Sequence, residues 1–257
     1  VLKFSRLIFF VFLSFYVVSC AHTRTNFQQK LLPIKSFVKV EKSLTVSACQ
    51  ENTGCMSQTL RSVASGVVVH GTLRGAYVLT AAHVCDDSDI KAEYKSLPDV
   101  KFLSEFHVRT LEGDTRTVEI LDQNKDHDIC MLWVRNLFMQ AVTLSPSAPK
   151  PGDRVFNIAA PLGIFSKNMV PIFEGFYNGT DEEGNAIYSM PAIGGSSGSP
   201  IVNKKGELIG MIHSVIRYFN QVSISPNYKA MRKFIYETID EHSSRNYFHS
   251  VLRTFIK

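Results

Sequence analysis

Three prolines fall within Ser145-Pro146-Ser147-Ala148-Pro149-Lys150-Pro151-Gly152, and neither a helix nor a central strand can run through them. The stretch parts two regions rich in segments of β character. Strands are expected before it at 43–47, 63–69, 76–80, 102–109, 115–121 and 128–134. After it they are expected at 153–159, 169–177, 186–190, 207–218 and 222–225, with Phe219-Asn220-Gln221 turning between the last two. A further strand follows Pro200 and closes on the turn Lys204-Lys205-Gly206. The tail changes period. Tyr228, Met231, Ile235 and Ile239 recur at helical spacing behind Ser225 as cap and Pro226 as first helical residue. A second amphipathic piece spans 247–256. With 257 residues, the chain suffices for one large all-β domain or two small barrels sharing a cleft.

The beginning reads differently. Lys3 and Arg6 precede an apolar run from Leu7 to Val18, the pattern of an export leader and short for a bilayer span. It ends Val17-Val18-Ser19-Cys20, which resembles a bacterial lipobox. That resemblance implies a removed signal peptide at 1–19, a lipidated Cys20, and a polar tether at 20–35. A plain secretory leader, or a cytosolic chain with an apolar start, is the alternative. The chain is expected to be exported, as a lipoprotein of the bacterial envelope facing the periplasm or as a secreted protein. Cys49 and Cys55 bracket a polar loop and are expected to form a local clip, since an oxidising compartment permits disulfides. The net charge of +5 is spread along the chain without an aromatic-interleaved basic stripe, so nucleic acid is not an expected partner. Asp86-Asp87-Ser88-Asp89 matches no calcium loop and reads as solvated. No metal or other cofactor is called for.

Chemistry concentrates at Gly194-Gly195-Ser196-Ser197-Gly198-Ser199-Pro200. A serine hydroxyl is a weak nucleophile that needs a base beside it and donors for the oxyanion its attack creates. Small neighbours allow a tight turn in which the N–H groups of Gly195 and Ser197 could face one oxygen, and Gly198 is expected to leave room for a substrate chain. Upstream stand Ala81-Ala82-His83 and Asp126-His127-Asp128-Ile129-Cys130-Met131-Leu132.

Together these resemble the histidine, aspartate and nucleophile motifs of chymotrypsin-fold serine proteases, in the order His…Asp…Ser. Ser196 before the nucleophile and Gly-Ser-Pro after it are closer to the HtrA-type and glutamyl-endopeptidase-type bacterial branches than to trypsin. The resemblance implies an all-β fold of two six-stranded antiparallel barrels with C-terminal helices. The barrels would occupy 36–144 and 153–226, joined by a linker at 145–152 and followed by helices at 227–257. It implies His83 as general base, Asp128 as its orienting carboxylate, Ser197 as nucleophile, and Gly195 and Ser197 as oxyanion donors. Asp126 is a rival to Asp128, because alternation would put both on one strand face. Cys85 and Cys130 each stand two residues beyond a proposed catalytic residue, so a second disulfide is implied if His83 and Asp128 meet; two buried thiols are the alternative. By alignment the primary pocket takes Pro191, Ala192 and Ile193 on one side and His213, Ser214 and Val215 on the other. No acid stands there to hold Lys or Arg. His213 is displaced by one residue from the position that glutamyl endopeptidases use. With Ser196 where zymogens carry an aspartate, no activating cut is implied. The expected function is an exported serine endopeptidase acting on proteins or peptides through an acyl-enzyme, lipid-anchored at a membrane. The alternative is a catalytically silent or gated protease-fold binding protein.

Overall fold

Val38, Val40, Leu44 and Val46 are buried while the residues between them are partly exposed, apart from Lys42, which also points inward. This period of two makes the first long strand, with one face on the core and one toward solvent. The computed structural model describes residues 32–50, 54–94, 99–216 and 218–255. The expected leader, Cys20 and most of the expected tether lie outside them.

The first sheet contains β1 (Phe37–Gln50), β2 (Gly54–Thr72), β3 (Gly75–Thr80), β4 (Val100–Thr110), β5 (Thr115–Thr117), β6 (Glu119–Asn124) and β7 (Ile129–Arg135), in spatial order β5-β4-β1-β2-β3-β7-β6. The second contains β8 (Arg154–Ile158), β9 (Ile172–Thr180), β10 (Ala186–Ser189), β11 (Pro200–Asn203), β12 (Leu208–Met211), β13 (Ser214–Ile216) and β14 (Phe219–Ser225), in order β12-β11-β8-β9-β10-β14-β13. The strand pairings within both are antiparallel, and both sheets curl into half-barrels. Each has seven strands instead of the expected six, for a local reason. The stretch 115–121 splits where the Val118 N–H leaves for Phe106 O (3.2 Å). The stretch 207–218 splits where Ile212 N–H donates to Ser199 O (2.9 Å) and His213 N–H to Ile224 O (3.0 Å). The expected turn at 219–221 is instead strand. The bend falls one step earlier, at Tyr218 with φ +66°.

Among the described residues three α-helices accompany the sheets: α1 (Ala82–Cys85), α2 (Ser88–Glu93) and α3 (Tyr228–Phe255). The two expected tail helices are one continuous α3. Its cap is Asn227, whose Oδ1 accepts the Lys229 N–H at 2.9 Å; Ser225 is buried in β14, where its Oγ accepts the Met211 N–H. The helix covers the outer side of the first sheet, where the Tyr77 hydroxyl meets His242 Nδ1 at 2.9 Å and the Trp133 and His242 rings lie 5.1 Å apart. Covered on both faces, β3 is buried throughout and β7 from Ile129 to Val134, so both read as continuous apolar runs. Among the described residues, no helix is long and apolar enough to cross a membrane.

Among the described residues two disulfides form, Cys49–Cys55 at the tip of the β1–β2 hairpin and Cys85–Cys130 between α1 and β7. The acid cluster departs from its solvated reading. Asp87 is buried and pairs with Lys42 at 2.5 Å, while the Ser104 hydroxyl donates to its other oxygen. The Lys42 ammonium also donates to Val84 O (3.1 Å) and Asp86 O (3.0 Å), the backbone that follows His83. A buried ion pair that has lost one member leaves the other without a partner, at a cost of about 3–5 kcal/mol. Lys42→Met is therefore expected to lower unfolding stability by about that amount in urea titration. Adding Asp87→Leu to it should recover much of the loss.

Candidate active site

His83 lies in α1, directly after β3, and Asp128 closes the turn between β6 and β7. Asp128 has φ +51°, a left-handed conformation that aspartate adopts more readily than branched residues. Its N–H bonds Lys125 O at 3.3 Å, and Asn124 Oδ1 takes the His127 N–H at 3.0 Å. The residues 125–128 are thus a turn. Strand alternation does not apply to Asp126, which is exposed at this turn while Asp128 reaches His83.

The contacts are directional. His83 Nδ1 is 2.7 Å from Asp128 Oδ2, and its backbone N–H donates to Oδ1 at 2.8 Å, so the carboxylate holds ring and main chain together. On the far side of the ring, Nε2 is 2.9 Å from Ser197 Oγ. An Nδ1–H donating to the carboxylate leaves the Nε2 lone pair for the serine hydroxyl. Burial pushes the Asp128 carboxyl up, but the ring and backbone hydrogen bonds from His83, with the fields of His83 and His213, hold it below its ordinary 3.8. Such a group is an anion in the folded state. Its stabilising contribution is present above about pH 4 and is lost as the pH falls through the depressed value.

Ser197 comes from the turn before β11, and the first sheet holds it in place. Ser65 of β2 donates its N–H to Ser197 O (2.8 Å) and its hydroxyl to Gly195 O (2.8 Å), and accepts the Ala160 N–H (3.0 Å). Gly198 has φ +84°, and a Cβ there would stand 2.1 Å from Ser65 O and 2.2 Å from Thr80 Oγ1. The glycine makes room for the protein's own backbone, where sequence reasoning expected it to admit substrate. Gly195 has φ +94° and a Cβ would meet Ala160 O at 2.4 Å. The Leu162 N–H donates to Gly194 O at 2.7 Å, and in a planar trans peptide this turns the Gly195 N–H the opposite way. Among the described residues no acceptor takes the N–H of Gly195 or Ser197. Ser196 is buried and spends its polar groups within its own turn, its N–H on Ile193 O (2.8 Å) and its Oγ on the Ile193 N–H (3.3 Å).

The expected pocket residues divide. Ala192 is tied by its N–H to Asn220 O at 2.9 Å, and it packs with Tyr188, Met190 and Ile212 in an uncharged cluster that Val215 joins. Pro191 and Ser214 are half-buried, and Ile193 is exposed. The His213 ring turns toward the carboxylate, with Nδ1 3.5 Å from Asp128 Oδ2. Beside Ser197 and His83, a hollow of about 460 Å³ is lined by Leu44, Leu60, Val63 and Ile90 together with the charged Arg61, Asp86 and Asp89. Among the described residues, no cluster of His, Cys, Asp or Glu fits a metal ion. Sequence reasoning missed Ser65, Lys42 and Leu162. The first two left a signal, a serine inside the apolar run 63–69 and a lysine at an inward position of β1; Leu162 acts through its backbone and left none.

A family model described as the trypsin-like peptidase domain matches residues 64–211, more than half of the chain. No curated protein matches it. Among solved structures it is similar to the serine endoprotease from Yersinia pestis, with a TM-score of 0.60 and 16% identity over 86% of this chain and 69% of that one. At that identity the likeness speaks for the fold alone, and the fold and the family match agree. The chain belongs to the trypsin-like peptidase domain family and is a chymotrypsin-like serine protease.

Proposed function

We propose that the protein is an exported serine endopeptidase that cleaves peptide bonds in proteins or peptides through an acyl-enzyme on Ser197. The observation that carries this reading is the unbroken chain of contacts from Asp128 through His83 to Ser197 Oγ, at 2.7 and 2.9 Å. In it His83 takes the hydroxyl proton as Ser197 attacks and returns it to the leaving amine. Asp128 fixes the tautomer and stabilises the imidazolium. The tetrahedral oxyanion is received by the N–H groups of Gly195 and Ser197. Ser196 bonds within its own turn, which supports a site that needs no activating cut.

The division of the chain follows the same reading, with halves at 36–144 and 153–226 around the linker 145–152. Export rests on the leader pattern, with Cys20 as the lipidation site of an envelope protein. Two disulfides are consistent with an extracytoplasmic location. Substrate preference follows the lining. Ala192 and Val215 favour a small or medium uncharged residue on the acyl side.

Two measurements test this. A peptide library should be cut after small or medium uncharged residues, and Ser197→Ala should abolish cutting while the protein stays folded by circular dichroism. Hydrolysis retained in that variant would remove Ser197 from the role. Asp128→Asn should lower kcat by about 10⁴-fold, the size expected when the histidine loses its correct tautomer. The same variant should flatten the loss of thermal stability below about pH 4, because the depressed carboxyl that produces it is gone.

A further inference from the structure

Asp128 has more imidazole around it than a three-residue constellation uses. Its Oδ2 lies 2.7 Å from Nδ1 of His83 and 3.5 Å from Nδ1 of His213. The two rings arrive from different halves, His83 on α1 and His213 from the break between β12 and β13. The His213 backbone is fixed there by its N–H bond to Ile224 O. The His213 side chain is only 14% exposed, and its Nε2 is buried with no partner among the described residues.

These facts select a protonation state. With its proton on Nε2, neutral His213 would aim the Nδ1 lone pair at a carboxylate; the proton therefore belongs on Nδ1, facing Oδ2. A second proton would have to sit on Nε2, where nothing accepts it. The charged and titratable groups around the ring are Asp128 from the turn before β7, His83 from α1, and Asp181 from the turn between β9 and β10. Burial is the largest influence and lowers the pKa of His213. The two carboxylates oppose it and His83 adds to it.

Resting on the roles proposed above for His83, Asp128 and Ser197, we infer that His213 is a positioning residue for Asp128. Neutral, it holds the carboxylate in the orientation that serves His83; protonated, it takes Oδ2 as its own counter-ion and the site stops. This differs from the pocket-wall place that the family resemblance implies. During attack His83 becomes an imidazolium, and one carboxylate oxygen must stabilise it. A second imidazolium on the same oxygen competes for that charge and repels the first. Protonation of His213 therefore removes activity at acid pH.

The test is the pH dependence of the rate at which a fluorophosphonate labels Ser197, measured in the wild type, His213→Leu and His213→Asn. Asparagine can return an N–H donor toward Asp128 and does not titrate. At alkaline pH, His213→Leu should be slower by about 10- to 100-fold, the scale of a misplaced catalytic group. His213→Asn should recover most of that loss. The acid limb of the wild type should become less steep in both variants. The downfield proton resonance of His83 Nδ1–H should shift in His213→Leu and move back toward the wild-type position in His213→Asn. Equal rates and equal limbs in all three proteins, with labelling intact, would overturn this role alone. A folded wild type that never labels would overturn the roles of Ser197 and His83, and this one with them.

Discussion

One buried serine holds the two sheets in register at the point where chemistry needs them aligned. Ser65 belongs to the first sheet, yet its N–H and hydroxyl hold the carbonyls of Ser197 and Gly195, and its oxygen takes the Ala160 N–H. His83 and Asp128 stand on the first sheet and Ser197 on the second. The distance between His83 and Ser197 is therefore an intersheet distance, and Ser65 is fully buried beside it. Thr80, three residues before His83, donates its hydroxyl to Ser65 O at 2.8 Å and ties the histidine strand to the same seam. The two glycines that cannot take a side chain here, Gly195 and Gly198, are those whose backbones press against Ala160, Ser65 and Thr80.

Behind the histidine a second brace acts on the backbone. Lys42 reaches through the core to the carbonyls of Val84 and Asp86 and neutralises Asp87, while the Cys85–Cys130 disulfide joins α1 to β7 just beyond Asp128. Both ends of the His83–Asp128 contact are thereby fixed by bonds that do not involve the reacting atoms. Groups held in place this way need little reorganisation to act together. The carboxylate then divides its charge between two rings, His83 at 2.7 Å and His213 at 3.5 Å.

Much of this was legible in the sequence because it lives in short local patterns. The strands follow from alternation and apolar runs, and His83, Asp128 and Ser197 from motifs that the fold brings within hydrogen-bonding distance. What was not legible depends on the partner a residue meets across the chain. Lys42 occupies an inward position of β1, but nothing local says that its partner is Asp87, 45 residues later in an acidic stretch that reads as solvated. The expected strands at 115–121 and 207–218 break because Val118 and Ile212 find acceptors elsewhere, a tertiary choice that propensity does not encode. The one-residue displacement of His213 was visible, but its destination beside Asp128 was not. The helix cap shifted from Ser225 to Asn227 for a similar reason, since β14 had already claimed the serine hydroxyl.

We propose that Ser197 is activated without a proteolytic cut inside the protease domain, because the Ser196 N–H and Oγ are both engaged within their own turn. Intact-mass spectrometry of the purified, uncleaved protein after exposure to a fluorophosphonate measures this most directly. One adduct per chain, mapped to the peptide carrying Ser197 with the backbone whole, is the predicted result. Adduct formation only after a proteolytic cut, or none on a folded chain, would contradict it.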